Sequence, residues 1–367
     1  MPSSLLPAGF TLGILGGGQL GRMSALAAAR LGIAVIIYCP EEDCPASYAS
    51  KDIIVAEYDD EEALRLFSDK TDIISYEFEN IPVSTIVHLE TLKPGSVLPE
   101  RTLLDISQDR IKEKSFVNSL GIDTVRWKAI TSLDDIKQTC EEWGCARFIL
   151  KTTRFGYDGK GQFKGQRDTL LDDAALAGFM KSTADQAFIM EDFSSFDYEV
   201  SVVVARDQYG KTEFYGPMLN EHKNHILHKT TIPCGSSSSI FTQSRNIADT
   251  IARAVNLIGV LTVEFFVVNS DTLLVNEIAP RTHNSGHWSV DACAVSQFEN
   301  HVRCVCGLPA GAPERHSDAT MVNLIGHDIE TINHYLNEPR TCVHLYGKKE
   351  IKEGRKMGHI TTLHPKS

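Results

Sequence analysis

Two rhythms of apolar positions divide this chain. Over the first hundred residues, short apolar runs alternate with stretches in which apolar residues recur every three or four positions. Phe10–Leu15, Ile33–Tyr38, Ile53–Val55 and Ile73–Tyr76 read as strands. The continuous apolar run Ile33–Tyr38 is what a strand buried on both faces should show. Leu20, Met23, Ala27 and Leu31 lie at helical spacing, and a polar–apolar helix around Glu61–Phe67 separates the third and fourth runs. The alternation predicts a wound parallel βαβ sheet with right-handed crossovers. Pro94 to Arg101 is a polar, proline-marked crossover that closes a first domain, residues 1–100.

Beyond it the rhythm changes. Asp109–Leu120 reads as an amphipathic helix with Arg110, Lys112 and Lys114 on its early turns. Phe148–Lys151 and Phe188–Phe193 read as strands, and Glu199–Arg206 and Glu213–Leu219 flank the hairpin turn Asp207–Gly210. Ile247, Ile251, Ala254, Val255 and Ile258 form one face of a helix. Val260–Val268 and Thr272–Glu277 pair about Asn269–Asp271, which sets Glu264 opposite Glu277, give or take a residue. Val343–His359 resembles another antiparallel strand pair. Hairpins imply antiparallel sheets, so the reading is α/β: an N-terminal wound parallel βαβ domain, a central α+β domain (101–300, with about 125–190 as a lid) and a small C-terminal β-rich domain (301–367).

Length and composition agree: 367 residues exceed one ordinary core. No apolar run is long enough to span a bilayer, and the N-terminus lacks a signal-peptide layout. The nine cysteines form no C-x-x-C pair, which suits a reduced, cytoplasmic protein rather than a disulfide framework or a zinc site. A net charge of −12 argues against nucleic-acid binding, so anionic substrates require cations concentrated at a site.

The stretch richest in candidate chemistry is Phe148–Gln162. A strand delivers Lys151, and a loop comes next with Gly156, Gly159 and Gly161, between which stand Tyr157, Asp158 and Lys160. Glycines let backbone amides approach an anion, and a lysine beside them supplies a point charge for phosphate. Gly16–Gly21 fits G-x-G-x-x-G between a strand and a helix, with Glu41 and Glu42 about twenty residues on, where a ribose-binding acid would lie. That keeps an NAD-dependent dehydrogenase open as a rival reading. Glu77 ends the fourth strand, where ligands of open α/β sheets gather; a structural helix-capping role is equally open. Glu191 and Glu199 suit ribose hydroxyls. Facing carboxylates in an apolar hairpin repel unless a cation joins them, and magnesium favours oxygen ligands. Arg281, His283, Asn284 and Ser285 are a compact donor set, and Lys348, Lys349, Arg355, Lys356 and His359 concentrate positive charge.

Taken together, Gly16–Met23, Gly156–Gln162, Asn276–Trp288 and Gly354–His359 resemble the 5-(carboxyamino)imidazole ribonucleotide synthase family of the ATP-grasp superfamily. The resemblance runs from about residue 10 to residue 360. It implies ATP-dependent carboxylation of 5-aminoimidazole ribonucleotide with bicarbonate, in a cytoplasmic homodimer with small-molecule substrates. A related formate-using transformylase is the nearest alternative. By position, ATP would meet Arg110, Lys151, Gly156, Tyr157, Asp158, Gly159, Lys160, Gly161, Gln162, Glu191, Asp192, Phe193, Ser194, Glu199, His222, Asn276 and Glu277. Mg2+ would sit on Glu264 and Glu277. The ribonucleotide would meet Gln19, Leu20, Glu77, Tyr157, Asp158, Lys160, Arg281, His283, Asn284, Ser285, Lys348 and Arg355. Asp158, Lys151 and Arg281 are the implied catalytic residues. Lys160 stands where some relatives have Arg, which preserves a charge contact but not a bidentate one.

Overall fold

The computed structural model describes residues 6–156, 161–169, 174–183, 187–193 and 195–367. The first unit winds as β1 (Thr11–Leu15), α1 (Gln19–Arg30), β2 (Ala34–Cys39), β3 (Asp52–Val55), α2 (Glu61–Lys70), β4 (Ile73–Tyr76) and α3 (Val83–Leu92). The strands form a parallel sheet in the order β3-β2-β1-β4. β1 is buried along its whole length, as its unbroken apolar run requires. Asp60 caps α2, its carboxylate accepting from the amides of Glu62 and Ala63. The crossover after α3 is not free of the sheet: Val97 bridges Ile74 in parallel. The next helix, α4 (Arg101–Ser107), straddles two cores, with Leu104 packed under the N-terminal sheet and Leu103 under the central one.

α5 (Arg110–Ser119) starts at Asp109, whose side chain accepts from the amides of Ile111 and Lys112. The chain continues through β5 (Trp127–Ile130), α6 (Leu133–Trp143), β6 (Arg147–Thr152), β7 (Gln162–Gln166), α7 (Ala174–Ser182) and β8 (Phe188–Asp192). Their four strands form an antiparallel sheet, β5-β8-β6-β7. Next come β9 (Tyr198–Arg206), β10 (Thr212–Lys223), β11 (Ile226–Ile232), α8 (Ser238–Ala254), β12 (Gly259–Val268), β13 (Thr272–Ala279), α9 (Ser289–Ala292) and α10 (Gln297–Val305). The chain ends with β14 (Asp318–Ile325), β15 (Thr341–Leu345) and β16 (Lys356–His364). The last three strands do not make a sheet of their own. They extend the central sheet to eight strands, β13-β12-β9-β10-β11-β14-β16-β15. β14 pairs with the edge of β11, which would otherwise present unmatched amides and carbonyls. No helix among the described residues is long and apolar enough to cross a membrane.

α10 is the wedge between the sheets. Phe298, Val302 and Val305 pack against α1 and the N-terminal strands, while Cys304 faces the central core. On the same helix, His301 is buried, with its Nε2 2.9 Å from Ser75 Oγ and its Nδ1 without a partner. Burial lowers the imidazole to about 4, so the fold holds it neutral. The stability this confers is complete above the ordinary histidine value of 6.5 and is lost as pH falls through about 4, since the unfolded chain binds the proton first. His301→Gln, which can keep the bond to Ser75, is expected to flatten part of the stability loss between pH 7 and pH 4.5 in denaturant titrations. Equal slopes for the two proteins would show that protonating His301 costs the fold nothing.

Candidate active site

The hairpin β12–β13 places Glu264 directly opposite Glu277. A bulge immediately after Glu264 shifts the register, so the pairing at this point is specific to these two positions. Glu264 Oε1 lies 3.2 Å from His283 Nε2, and Glu277 Oε2 lies 3.7 Å from Arg110 Nη1. Burial, reinforced by the Glu277 charge, raises the Glu264 carboxyl to about 8. The same two causes raise Glu113 to about 7, although its Oε1 accepts from the Ile278 amide at 2.6 Å. Three carboxyls therefore crowd one end of the hairpin, an arrangement that suits a divalent cation with oxygen ligands. Beside them, His222 Nδ1 meets Glu199 Oε2 at 2.9 Å, and this partner outweighs burial and raises the imidazole.

A second cluster lies across the cavity. Lys151, on β6, pairs with Glu191 on the adjacent β8, and Lys114 Nζ reaches the other Glu191 oxygen at 3.2 Å. Burial alone would raise the Glu191 carboxyl, but Lys151 and Lys114 outweigh it and hold it at about 2. Lys114 also donates to the Asn276 carbonyl at 3.3 Å, tying the small sheet to the β12–β13 hairpin. Arg110 donates to the Gly156 carbonyl at 3.0 Å, at the point where the glycine loop begins. The loop ends at Gly161, where φ is +70° and a Cβ would meet Thr152 Oγ1 at 2.6 Å. Tyr157, Asp158, Gly159, Lys160 and Ser194 lie outside the described residues.

The Gly16–Gly21 turn does not offer its amides to a dinucleotide. Glu77 lies across the N-terminus of α1 and accepts from the amides of Gly18 and, at 2.7 Å, Gly21. A Cβ at Gly16 would meet Glu77 Cγ at 2.4 Å, so the glycine permits this close approach. Glu41 and Glu42 are exposed. An internal carboxylate thus fills the place a pyrophosphate would need, and the dehydrogenase reading falls.

These groups meet in one cavity of about 870 Å3 between the two antiparallel sheets and the N-terminal unit. Its wall includes Gln19, Leu20, Glu77, Arg110, Lys151, Gly156, Gly161, Gln162, Phe193, Glu199, His222, Glu264, Asn276, Glu277, Arg281, His283 and Asn284. Several implied contacts stand behind the wall. Glu191 backs Lys151, whereas Asp192 turns away to Arg126, at 2.7 Å. Ser285 is fully buried and supports His283, their Oγ and Nδ1 2.8 Å apart. Lys348 donates to Gln19 Oε1 at 2.8 Å, one step removed from the cavity, and Arg355 donates to the Glu350 carbonyl at 3.2 Å.

Other lining residues escaped the sequence reading. Glu79 pairs with Arg281 across 202 positions of sequence, and this partner overcomes burial to keep the carboxyl ionised. Of the C-terminal cations named from the sequence, Lys356 lines the cavity and Lys348 does not. Phe196 and Phe266 stack with centroids 4.4 Å apart, making an apolar wall suited to a planar base. The two rings come from separate elements, so no local pattern marks them as a pair.

Comparison with known proteins matches this architecture. Residues 10–108 match the ribonucleotide synthetase preATP-grasp domain, 115–298 the ATP-grasp domain, and 319–367 the phosphoribosylaminoimidazole carboxylase C-terminal domain. The fold is that of an ATP-grasp enzyme, an ATP-dependent ligase. The chain is 45% identical over 367 residues to N5-carboxyaminoimidazole ribonucleotide synthase of Brucella melitensis, covering all of both chains. It is 39% identical to the synthase of Bacillus subtilis, covering 99% of this chain and 94% of that one. The structure of the Staphylococcus aureus synthetase complexed with ADP matches with a TM-score of 0.90 at 38% identity, over 98% of this chain and 94% of that one. The Aspergillus clavatus synthase in complex with ADP and 5-aminoimidazole ribonucleotide matches with a TM-score of 0.88 at 26% identity, over the same shares of 98% and 94%. The chain belongs to the N5-carboxyaminoimidazole ribonucleotide synthase family.

Proposed function

We propose that this chain carboxylates 5-aminoimidazole ribonucleotide with bicarbonate at the expense of ATP. The products are N5-carboxyaminoimidazole ribonucleotide, ADP and phosphate, a step of purine biosynthesis. The observation that carries the reading is the convergence of Lys151, Arg110 and the Glu264–Glu277 pair on one cavity with Arg281, His283 and Lys356. One set of cations and carboxylates suits a triphosphate, and the other supplies donors for a second anionic substrate. We read the chain as three units, 1–100, 101–300 with 125–190 as lid, and 301–367, working as a cytoplasmic homodimer.

Bicarbonate is a poor electrophile, so its activation as carboxyphosphate precedes attack by the exocyclic amine of the ribonucleotide. Lys151 and Arg110 neutralise charge on the transferring phosphoryl group. Glu264 and Glu277 would hold Mg2+, which would supply charge neutralisation for the phosphates when bound. Glu191 stands behind Lys151 and fixes its ammonium, and the Phe196–Phe266 wall receives the adenine. Arg281, oriented by Glu79, and His283, oriented by Ser285, hold the ribonucleotide against the phosphates. Asp158 orients or deprotonates the amine.

The test is ADP release measured with each substrate omitted in turn. Full release is expected only with ATP, Mg2+, bicarbonate and 5-aminoimidazole ribonucleotide together. Full release with formate in place of bicarbonate would select the transformylase reading.

A further inference from the structure

Behind the loop that carries Arg281 to Ser285, the C-terminal strands assemble polar side chains that the carboxylation chemistry leaves idle. β15 and β16 run antiparallel with His344 opposite His359, so both imidazoles leave the same face of the ladder. Their rings lie 4.4 Å apart and within 7° of parallel. Asp291, from α9, approaches the same point, its Oδ2 and Oδ1 2.9 and 3.1 Å from His344 Nε2. One ligand atom from each of the three residues lies within 4.8 Å of the others.

The innermost residue of the cluster is the informative one. His359 is fully buried, its Nδ1 lies 2.8 Å from the Tyr346 hydroxyl, and its Nε2 has no hydrogen-bond partner. A buried imidazole nitrogen without a partner is costly unless something binds it. A hydrogen bond on Nδ1 is also what orients metal-ligating histidines: with Nδ1–H donating to the tyrosine oxygen, Nε2 presents its lone pair. The outer members leave an entry path, since the His344 side chain is 27% exposed and that of Asp291 11%.

We propose that Asp291, His344 and His359 bind one divalent transition-metal ion, zinc being the best suited. Two imidazoles and a carboxylate are a zinc donor set, whereas magnesium prefers oxygen alone. Two nitrogens on one tetrahedral zinc stand about 3.3 Å apart. The cluster must therefore draw in somewhat, and a turn of the partly exposed His344 would provide this. The position gives the ion a structural role. His359 pairs in the ladder with Asn323, whose amide exchanges bonds of 2.9 and 2.6 Å with Asn284 in the cavity wall. α9 begins four residues after Ser285, so a bound ion would clamp this loop to the last two strands.

Tag-free protein, stripped with chelator and dialysed, is titrated with Co2+ and with Zn2+ alone. One equivalent is expected to bind, with visible cobalt absorption and a raised Tm. The double variant Asp291→Asn, His344→Gln is expected to weaken that binding roughly 100-fold or more while Mg-ATP turnover stays unchanged. Tyr346→Phe is expected to weaken it about 10- to 100-fold. A second protein, Glu264→Gln with Glu277→Gln, is expected to retain full cobalt binding. Absence of binding to the stripped wild type, binding that survives the Asp291/His344 double variant, or its loss in the Glu264/Glu277 variant would each overturn the assignment.

Discussion

Replacing Glu277 by glutamine is expected to leave a folded protein whose turnover falls at least roughly a hundred-fold to a thousand-fold, the range typical of losing one charge-stabilising contact at a reacting centre. The substitution keeps shape and removes only charge. Glu277 is half-exposed on β13, faces Glu264 across the ladder, and reaches Arg110 at 3.7 Å. With one carboxylate gone, magnesium and ATP bind more weakly together, so the apparent requirement for Mg2+ should rise alongside the loss of rate. Stability should move the other way. Glu277 helps raise Glu264 to about 8 and Glu113 to about 7. Its repulsion therefore destabilises the cation-free fold increasingly as pH climbs from about 4.5 toward 8. In magnesium-free buffer at pH 8 the variant should melt no lower than wild type, and the difference should fade at acid pH. Unchanged turnover under limiting magnesium would make Glu277 a structural residue.

Asp158→Asn is expected to separate the two halves of the reaction. Asp158 itself lies outside the described residues, but both ends of its loop are placed. Gly156 and Gly161 line the cavity, and Arg110 holds the Gly156 carbonyl. If Asp158 orients or deprotonates the attacking amine, the variant still binds ATP and still phosphorylates bicarbonate slowly. Carboxylation should fall about a hundred-fold to ten-thousand-fold, the usual worth of a positioned acid or base. ADP release then outruns incorporation of labelled bicarbonate. If both fall together, the residue acts only in closing the loop over the site.

The parts of the site that rest on local geometry were legible without a structure. A hairpin fixes its own register through a short turn, so Val260–Val268 against Thr272–Glu277 brings Glu264 to within a residue of facing Glu277, and the bulge after Glu264 sets the exact pairing. The same holds for Lys151 at the end of an apolar strand and for the helix that Asp109 caps. Glu77 was legible only as an alternative. Its carboxylate ends β4, but whether it met a substrate or the α1 amides depended on how closely Gly16–Gly21 approached it.

By itself, the sequence determined the wound first domain, the antiparallel character of the strands beyond it, the carboxylate pair and the family. Each of these is written in periodicity or in contiguous motifs, and none needs knowledge of distant contacts. Tertiary structure alone decided that β14, β15 and β16 extend the central sheet, that Glu79 orients Arg281, and that Lys114 joins Lys151 on Glu191. It also decided that Phe196 stacks on Phe266 and that Lys356 rather than Lys348 faces the cavity. These pairings join residues far apart in the chain, and their energies depend on burial that no local window records. A carboxylate or an ammonium has the same letter in the sequence whether it is solvated or enclosed; only packing removes the water and makes its partner matter.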